Sequence, residues 1–222
     1  MRITLPSGTP AEFAQPDGPP TMGLVIAPDI FGLRPLYDDL VARLARDWNM
    51  SVCAVEPFPG RDLGPDIGPR SALVASIDDA LHLADLEAAA DQLAMRSGVG
   101  RVGLLGFCLG GMYCHKAARS DRFDRIVSFY GMIRVPGGWQ SATQAEPLDI
   151  LAAGHADRVL AVIGELDPYT PPDDVVALES VGVATVRYPQ AEHGFAHDPA
   201  RPAHRSDDAA DAFARSRVWL EG

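Results

Sequence analysis

The sequence has little of what marks a chain for a membrane, a nucleic acid or an oxidising compartment. Nowhere do ~18 uncharged apolar residues run together, the length a spanning helix needs, so no contact with a membrane is expected. The opening residues MRITLPSGTPAEF lack the positively charged region and apolar stretch of a secretory leader. A cytoplasmic location is the default expectation. Lys and Arg form no run and the net charge is −11, so the positive footprint that binds phosphate backbones is missing. Nucleic acid is therefore not an expected partner. Cysteine is scarce: Cys53, Cys108 and Cys114 are an odd and small set, which argues against a disulfide framework and for free thiols. Lysine is nearly absent, with Lys116 alone among the 19 basic residues, a bias that carries no functional weight.

What is present is an ordinary globular composition. With 47% hydrophobic and 22% charged residues, the chain can bury a sizeable core. Its 222 residues suit one α/β domain, residues 1–222, since such domains commonly run to ~200–250 residues around one core. The N-terminal piece reads as a short strand or hairpin closed by the turn QPDGPP. TMGLVIAP is then an apolar run of strand length, buried on both faces as in a parallel sheet. A helix from Pro35 to Trp48 and a strand over Met50–Val55 follow, then a Pro/Gly/Asp loop from Pro57 to Pro69. Helical periodicity runs from Ser71 to Met95 with a break near His82. After it come the strand RVGLLGF (Arg101–Phe107), a helix Leu109–Ala118, the strands RIVSFYG and RVLAVIG, a helix Asp173–Ser180, the strand ATVRYP and a last helix Asp207–Leu220. Gly137–Pro147 is the one long irregular stretch late in the chain. Alternating strands and helices predict an α/β fold with a mostly parallel sheet covered on both faces and no lid domain.

In such sheets ligands bind beyond the carboxyl ends of the strands. Gly106-Phe107-Cys108-Leu109-Gly110-Gly111 stands at one of these places. It is a G-x-nucleophile-x-G elbow with cysteine where serine is commoner: its glycines admit the tight strand-to-helix turn that exposes the nucleophile. His193, in the loop after ATVRYP, stands where the general base arrives. Asp167, in the turn after RVLAVIG and deeper in it than Glu165, can accept that histidine's N–H and fix its tautomer. Each residue alone reads more simply as core or surface; the three together follow strands in the one chain order this fold uses. The loop Pro28-Asp29-Ile30-Phe31-Gly32 after the first long strand is where a second oxyanion donor is built, the amide of Ile30 beside that of Leu109. His115 and His82 read as structural or surface residues and Cys53 as core. His197, His204 and Asp198 lack the spacing of a metal motif.

VIAPDIFGL, DLEAA, RVGLLGFCLGG, RIVSFYG, GELDPYTP and AEHGFAHD together resemble the dienelactone hydrolases (carboxymethylenebutenolidases), and the resemblance spans roughly residues 20–220. It implies an α/β-hydrolase fold, a Cys108–His193–Asp167 triad with oxyanion donors at Ile30 and Leu109, no metal and no cofactor. The implied substrate is a small ester or a lactone bearing a carboxylate. The family usually has glutamate where this chain has Asp29, a group that holds the thiol at rest. Four residues past the catalytic histidine, where an arginine binds the carboxylate, stands His197. The other carboxylate-binding arginine is looked for near Arg70, with Phe31 and Tyr130 as candidates to line the pocket. The expected protein is a monomer or small homo-oligomer acting on a small molecule. Acyl transfer or thioester cleavage on the same machinery, or a redox-reactive thiol on an idle hydrolase fold, are the competing readings.

Overall fold

The structure, a computed structural model, describes residues 1–222. Eight strands form one sheet: β1 (Arg2–Thr4), β2 (Pro10–Ala14), β3 (Gly23–Ala27), β4 (Ser51–Val55), β5 (Val102–Phe107), β6 (Ile126–Phe129), β7 (Val159–Gly164) and β8 (Ala184–Tyr188). Their order is β1-β2-β4-β3-β5-β6-β7-β8. β1 and β2 pair antiparallel, β2 joins β4 antiparallel, and every pair from β4 to β8 is parallel. The helices are α1 (Pro35–Trp48), α2 (Ile67–Val74), α3 (Asp79–Ser97), α4 (Leu109–Ala117), α5 (Pro147–Ala153), α6 (Pro172–Ser180) and α7 (Ser206–Glu221).

The apolar runs are continuous because both faces of the sheet are covered. In β3, Val25 and Ala27 join the core beneath α3 to α6, while Leu24 and Ile26 join the core beneath α1 and α7. α1 begins on Pro35 at its first turn, where a missing N–H costs nothing, and ends on Asn49 in the left-handed region.

Three local readings change. α2 starts at Ile67, inside the stretch Pro57–Pro69 read as loop and ahead of Ser71. The break in the long helical stretch falls at residues 75–78, before His82, because Asp78 caps α3 by accepting from the amides of Ala80 and Leu81 at 2.8 and 3.4 Å. Within Gly137–Pro147, a 3₁₀ turn forms over Gly137–Trp139, and Pro147 opens α5.

The single lysine is structural. Lys116 is fully buried, its Nζ donating to Asp79 Oδ1 at 2.8 Å and to Gln144 Oε1 at 2.5 Å. Asp79 Oδ2 accepts from the Ala145 amide at 2.8 Å, and Gln144 Nε2 reaches the carbonyls of Val74 and Ile77 at 3.1 Å each. A buried charge is tolerable only when paired and hydrogen-bonded. This cluster meets that condition and ties the segment before α5 to α2, α3 and α4. No helix is long and apolar enough to cross a membrane.

Candidate active site

Cys108 sits between β5 and α4 with φ 54° and ψ −112°, a conformation a residue with a side chain adopts only when its surroundings over-determine it. Here they do. A Cβ on Gly106 would stand 2.3 Å from the Gly110 carbonyl oxygen, and one on Gly110 would stand 1.9 Å from that of Ala27. The helix therefore starts hard against β3, and the Cys108 amide is tied to the Phe129 carbonyl at 3.0 Å. Cys108 is half-buried at the amino end of α4. There the Leu109 amide, first of the helix, has no acceptor within it.

Asp167 and His193 meet beside it. The loop after β7 carries a fully buried Asp167 side chain, whose Oδ2 lies 2.8 Å from His193 Nδ1 while Oδ1 accepts the Tyr169 amide at 2.8 Å. Glu165, two residues earlier, faces Arg187 instead. The His193 ring is held edgewise between Tyr169 and Tyr130, with centroids at 4.8 and 5.3 Å. Burial disfavours its charged form, but hydrogen bonds to Asp167 and Cys108 outweigh this and raise its pKa to about 10.

The loop after β3 faces this group. The Ile30 amide donates to nothing within the protein, whereas its neighbours on both sides are engaged: the Asp29 amide to Tyr37 Oη at 2.7 Å and the Phe31 amide to Asp29 Oδ1 at 3.0 Å. Asp29 is almost wholly buried. Arg34 grips it with two bonds, Nη1 to Oδ1 at 2.7 Å and Nη2 to Oδ2 at 2.9 Å, and His197 Nε2 donates to Oδ2 at 2.7 Å. Burial pushes the Asp29 pKa up, yet the bonds from His197 and Arg34 dominate and hold it well below the usual carboxylate range. Glu56 braces the same loop, accepting from the amides of Leu33 at 2.8 Å and Phe58 at 3.0 Å. Arg34 and Glu56 escaped the sequence reading. The one signal was Arg34 five residues after Asp29.

His197 is not where a substrate would meet it. Its side chain is fully buried, stacked on Phe107 with centroids at 4.7 Å. A carboxylate can only accept, so Nε2 carries the proton toward Asp29 and Nδ1 accepts from Tyr130 Oη at 2.5 Å. Both nitrogens are occupied, and burial keeps the pKa below its ordinary value despite Asp29. The expectation that His197 reads the substrate gives way to a role in bracing Asp29. Tyr130, also fully buried, supports His193 and His197 from below instead of lining the cavity.

The cavity over Cys108 and His193 is bounded by Phe31, Arg70 and, unforeseen, Arg201 and Tyr169. The Arg70 guanidinium lies over the Phe31 ring at 5.8 Å and donates to the carbonyls of Ile30 at 3.4 Å and Gly64 at 2.9 Å. Arg201 lies against Gly194, where even a Cβ would stand only 2.7 Å from its Cζ. Cys53 and Cys114 are in the core. Burial pushes the Cys53 thiol up to about 12 and that of Cys114 well above its ordinary value.

A cysteine in a strained strand-to-helix turn, at the carboxyl edge of a parallel sheet and facing a histidine and aspartate from two later loops, makes this an α/β-hydrolase. The chain belongs to the dienelactone hydrolase family, whose model matches residues 10–221, and is a carboxylic ester hydrolase acting on lactones or esters. It is 27% identical over 212 residues to the carboxymethylenebutenolidase of Rhodococcus opacus, spanning 89% of this chain and 80% of that one. The same identity and length relate it to a Bradyrhizobium protein assigned as a 2-oxo-3-(5-oxofuran-2-ylidene)propanoate lactonase, spanning 89% and 82%. A solved structure assigned as a dienelactone hydrolase from Klebsiella pneumoniae superposes with a TM-score of 0.88 at 25% identity, covering 99% of this chain and 97% of that one.

Proposed function

We propose that this chain, as one α/β-hydrolase domain, opens lactones or cleaves small esters by covalent catalysis at Cys108. His193 takes the thiol proton, the thiolate sulfur attacks the carbonyl carbon, and the amides of Ile30 and Leu109 hold the resulting oxyanion. Collapse of the tetrahedral species breaks the carbon–oxygen bond, and His193 returns its proton to the departing alkoxide. Water, deprotonated by His193, then releases the acid and frees the Cys108 sulfur, with the proton left on His193. Asp167 keeps His193 in the tautomer and orientation this cycle needs. No step calls on a metal or cofactor.

One observation carries the reading. Cys108 alone among the three cysteines is half-buried and not sealed in the core, and it is the one held in a left-handed turn beside a histidine that is itself hydrogen-bonded to a buried aspartate. Arg70 and Arg201 at the cavity favour a substrate that carries a carboxylate, as the names of the Rhodococcus and Bradyrhizobium relatives suggest for theirs.

The test is intact-protein mass spectrometry after rapid quenching with a 4-nitrophenyl ester. The expected result is an acyl adduct on the Cys108 peptide in the first turnover. Turnover without an adduct, or an adduct on another residue, contradicts the covalent scheme.

A further inference from the structure

Cys108 opens onto two compartments of opposite chemistry. One, of about 700 Å³, is bounded by Phe31, Arg34, Arg70, Asp198 and Arg201. The other, of about 580 Å³, is bounded by Ala72, Met132, Pro136 and Trp139. Ile30, Ile67, Cys108, Tyr169 and His193 border both, so the nucleophile, its histidine and one oxyanion donor lie at the junction. α2 borders both through Ile67, and places Arg70 in the first and Ser71 and Ala72 in the second. Each has the size of a small-molecule site, which typically encloses ~300–1,000 Å³.

The first compartment is built for an anion. Arg34 is committed to Asp29, but Arg70 bonds only to carbonyl oxygens, and its buried Nε has no partner. Arg201 lies on Gly194 and enters no ion pair. Of the two carboxylates in the lining, Asp29 is paired with Arg34 and Asp198 stands 3.9 Å from the same arginine, so the guanidinium groups of Arg70 and Arg201 have no carboxylate partner of their own.

The second compartment is built for carbon. Its lining holds no Asp, Glu, Lys or Arg. The one polar atom of Trp139, the indole N–H, is taken by Ser71 Oγ at 3.0 Å, so the ring offers the cavity carbon alone. Nor is Trp139 on a loose loop. Its amide closes the 3₁₀ turn on Pro136 at 2.8 Å, and the segment beyond it is fastened by Gln144 to α2 and α4 and by Asp79 to α3. The apolar wall is formed before any ligand arrives, so binding there spends little on ordering side chains.

We propose that the site takes esters or lactones with an anionic group on one side of the scissile carbonyl and an apolar, ring-sized substituent on the other, the latter seated against Trp139 and Met132. This rests on the hydrolytic reading of Cys108 and narrows its substrate class. A lactone bearing one carboxylate and nothing more fills the arginine side and leaves the Trp139 side to water. Adding an apolar group removes both it and the wall from water. Hydrophobic pockets discriminate by about tenfold or more for each methylene that fits.

The experiment uses two pairs of monoanionic esters. Benzyl and methyl hemiglutarate carry the charge on the acyl side; carboxymethyl 3-phenylpropionate and carboxymethyl acetate carry it on the alcohol side. Each is titrated calorimetrically into Cys108→Ala, which reads occupancy without turnover, and each is offered to the parent enzyme for kcat/KM. In at least one pair the phenyl member should bind about tenfold tighter than its small counterpart, with a parallel gain in kcat/KM. Adding Trp139→Ala should erase that gain while leaving affinity for the small ester unchanged, which also shows that the variant folds. Arg201→Ala should weaken the members of a pair alike and keep the phenyl advantage. Equal affinity within both pairs, or a phenyl advantage that survives Trp139→Ala, overturns the assignment. A phenyl preference in binding without hydrolysis of any ester by the parent supports the compartment and removes the hydrolytic reading instead.

Discussion

His197 and Asp29, 168 residues apart in the chain, are joined by a 2.7 Å hydrogen bond from Nε2 to Oδ2 beneath the floor of the cavity. The bond links the loop after β3 to the loop that carries His193, and Arg34 closes it from the solvent side with two further bonds. Both oxygens of Asp29 are thereby filled by Arg34, His197 and the Phe31 amide. None of these bonds comes from Cys108. We propose that this arrangement makes Asp29 a positioning residue for the peptide that carries the Ile30 amide.

Replacing Asp29 should therefore change turnover and leave the thiol alone. Asp29→Asn keeps the shape but loses the charge that holds Arg34. We expect kcat to fall about 10–100-fold, less than the ~10²–10³ that outright loss of an oxyanion donor costs, with KM little changed. Iodoacetamide should alkylate Cys108 at the parent rate across pH in a background lacking Cys53 and Cys114. Faster alkylation with unchanged kcat would return Asp29 to a shielding role.

A buried, doubly bonded His197 should leave no mark on substrate affinity. KM for a carboxylate-bearing lactone is expected to show no rise attributable to a histidine titrating across pH ~6–8. His197→Arg should lower Tm, because it places a second cation beside Arg34 in a slot closed by Phe107. A KM that rises with pH in the parent and turns flat in His197→Arg would put the ring back in contact with substrate.

The elements that positioned the site were legible because their signals are local. Pro35 and Asn49 punctuate α1, the glycines around Cys108 announce a tight turn, and apolar runs of strand length precede each candidate residue. α5 was missed because seven residues are too few to show helical periodicity within a polar stretch. The partners of Asp29 were missed for another reason. Spacing along the chain says nothing about a bond across 168 residues, and the resemblance led to the expectation of a substrate-binding side chain at position 197. Trp139 and Arg201 lie on loops whose course depends on Lys116, Asp79 and Gly194, so their convergence on Cys108 became visible only with the fold.

Stability should carry the signature of His193. Its pKa is raised from 6.5 in the unfolded chain to about 10 in the fold, so the folded state binds this proton more tightly. The contribution is fully present below pH 6.5 and is lost as pH rises toward about 10. Thermal melts of the parent should show Tm falling through this window, and His193→Gln should remove that component of the fall. Superimposable pH profiles for the two proteins would mean that the ring is not held protonated.

Gly110→Ala should test the close approach of α4 to β3. Its methyl would stand 1.9 Å from the Ala27 carbonyl oxygen, so helix and strand must separate. Overpacking of this kind costs about 1–3 kcal/mol, or roughly 2–12 °C in Tm for a chain of this size. Because Ala27 leads into the oxyanion loop, kcat should fall as well. An unchanged Tm and kcat would show that the contact does not constrain the elbow.

The covalent role of Cys108 is tested most directly by the kcat of Cys108→Ala on a carboxylate-bearing lactone, with Cys53→Ala and Cys114→Ala as controls. Loss of a nucleophile with its oxyanion donors intact should lower kcat by at least about 10³-fold. The two controls should stay within about tenfold of the parent, since both thiols lie in the core outside the chemistry. Retention of the parent kcat by Cys108→Ala would contradict the account.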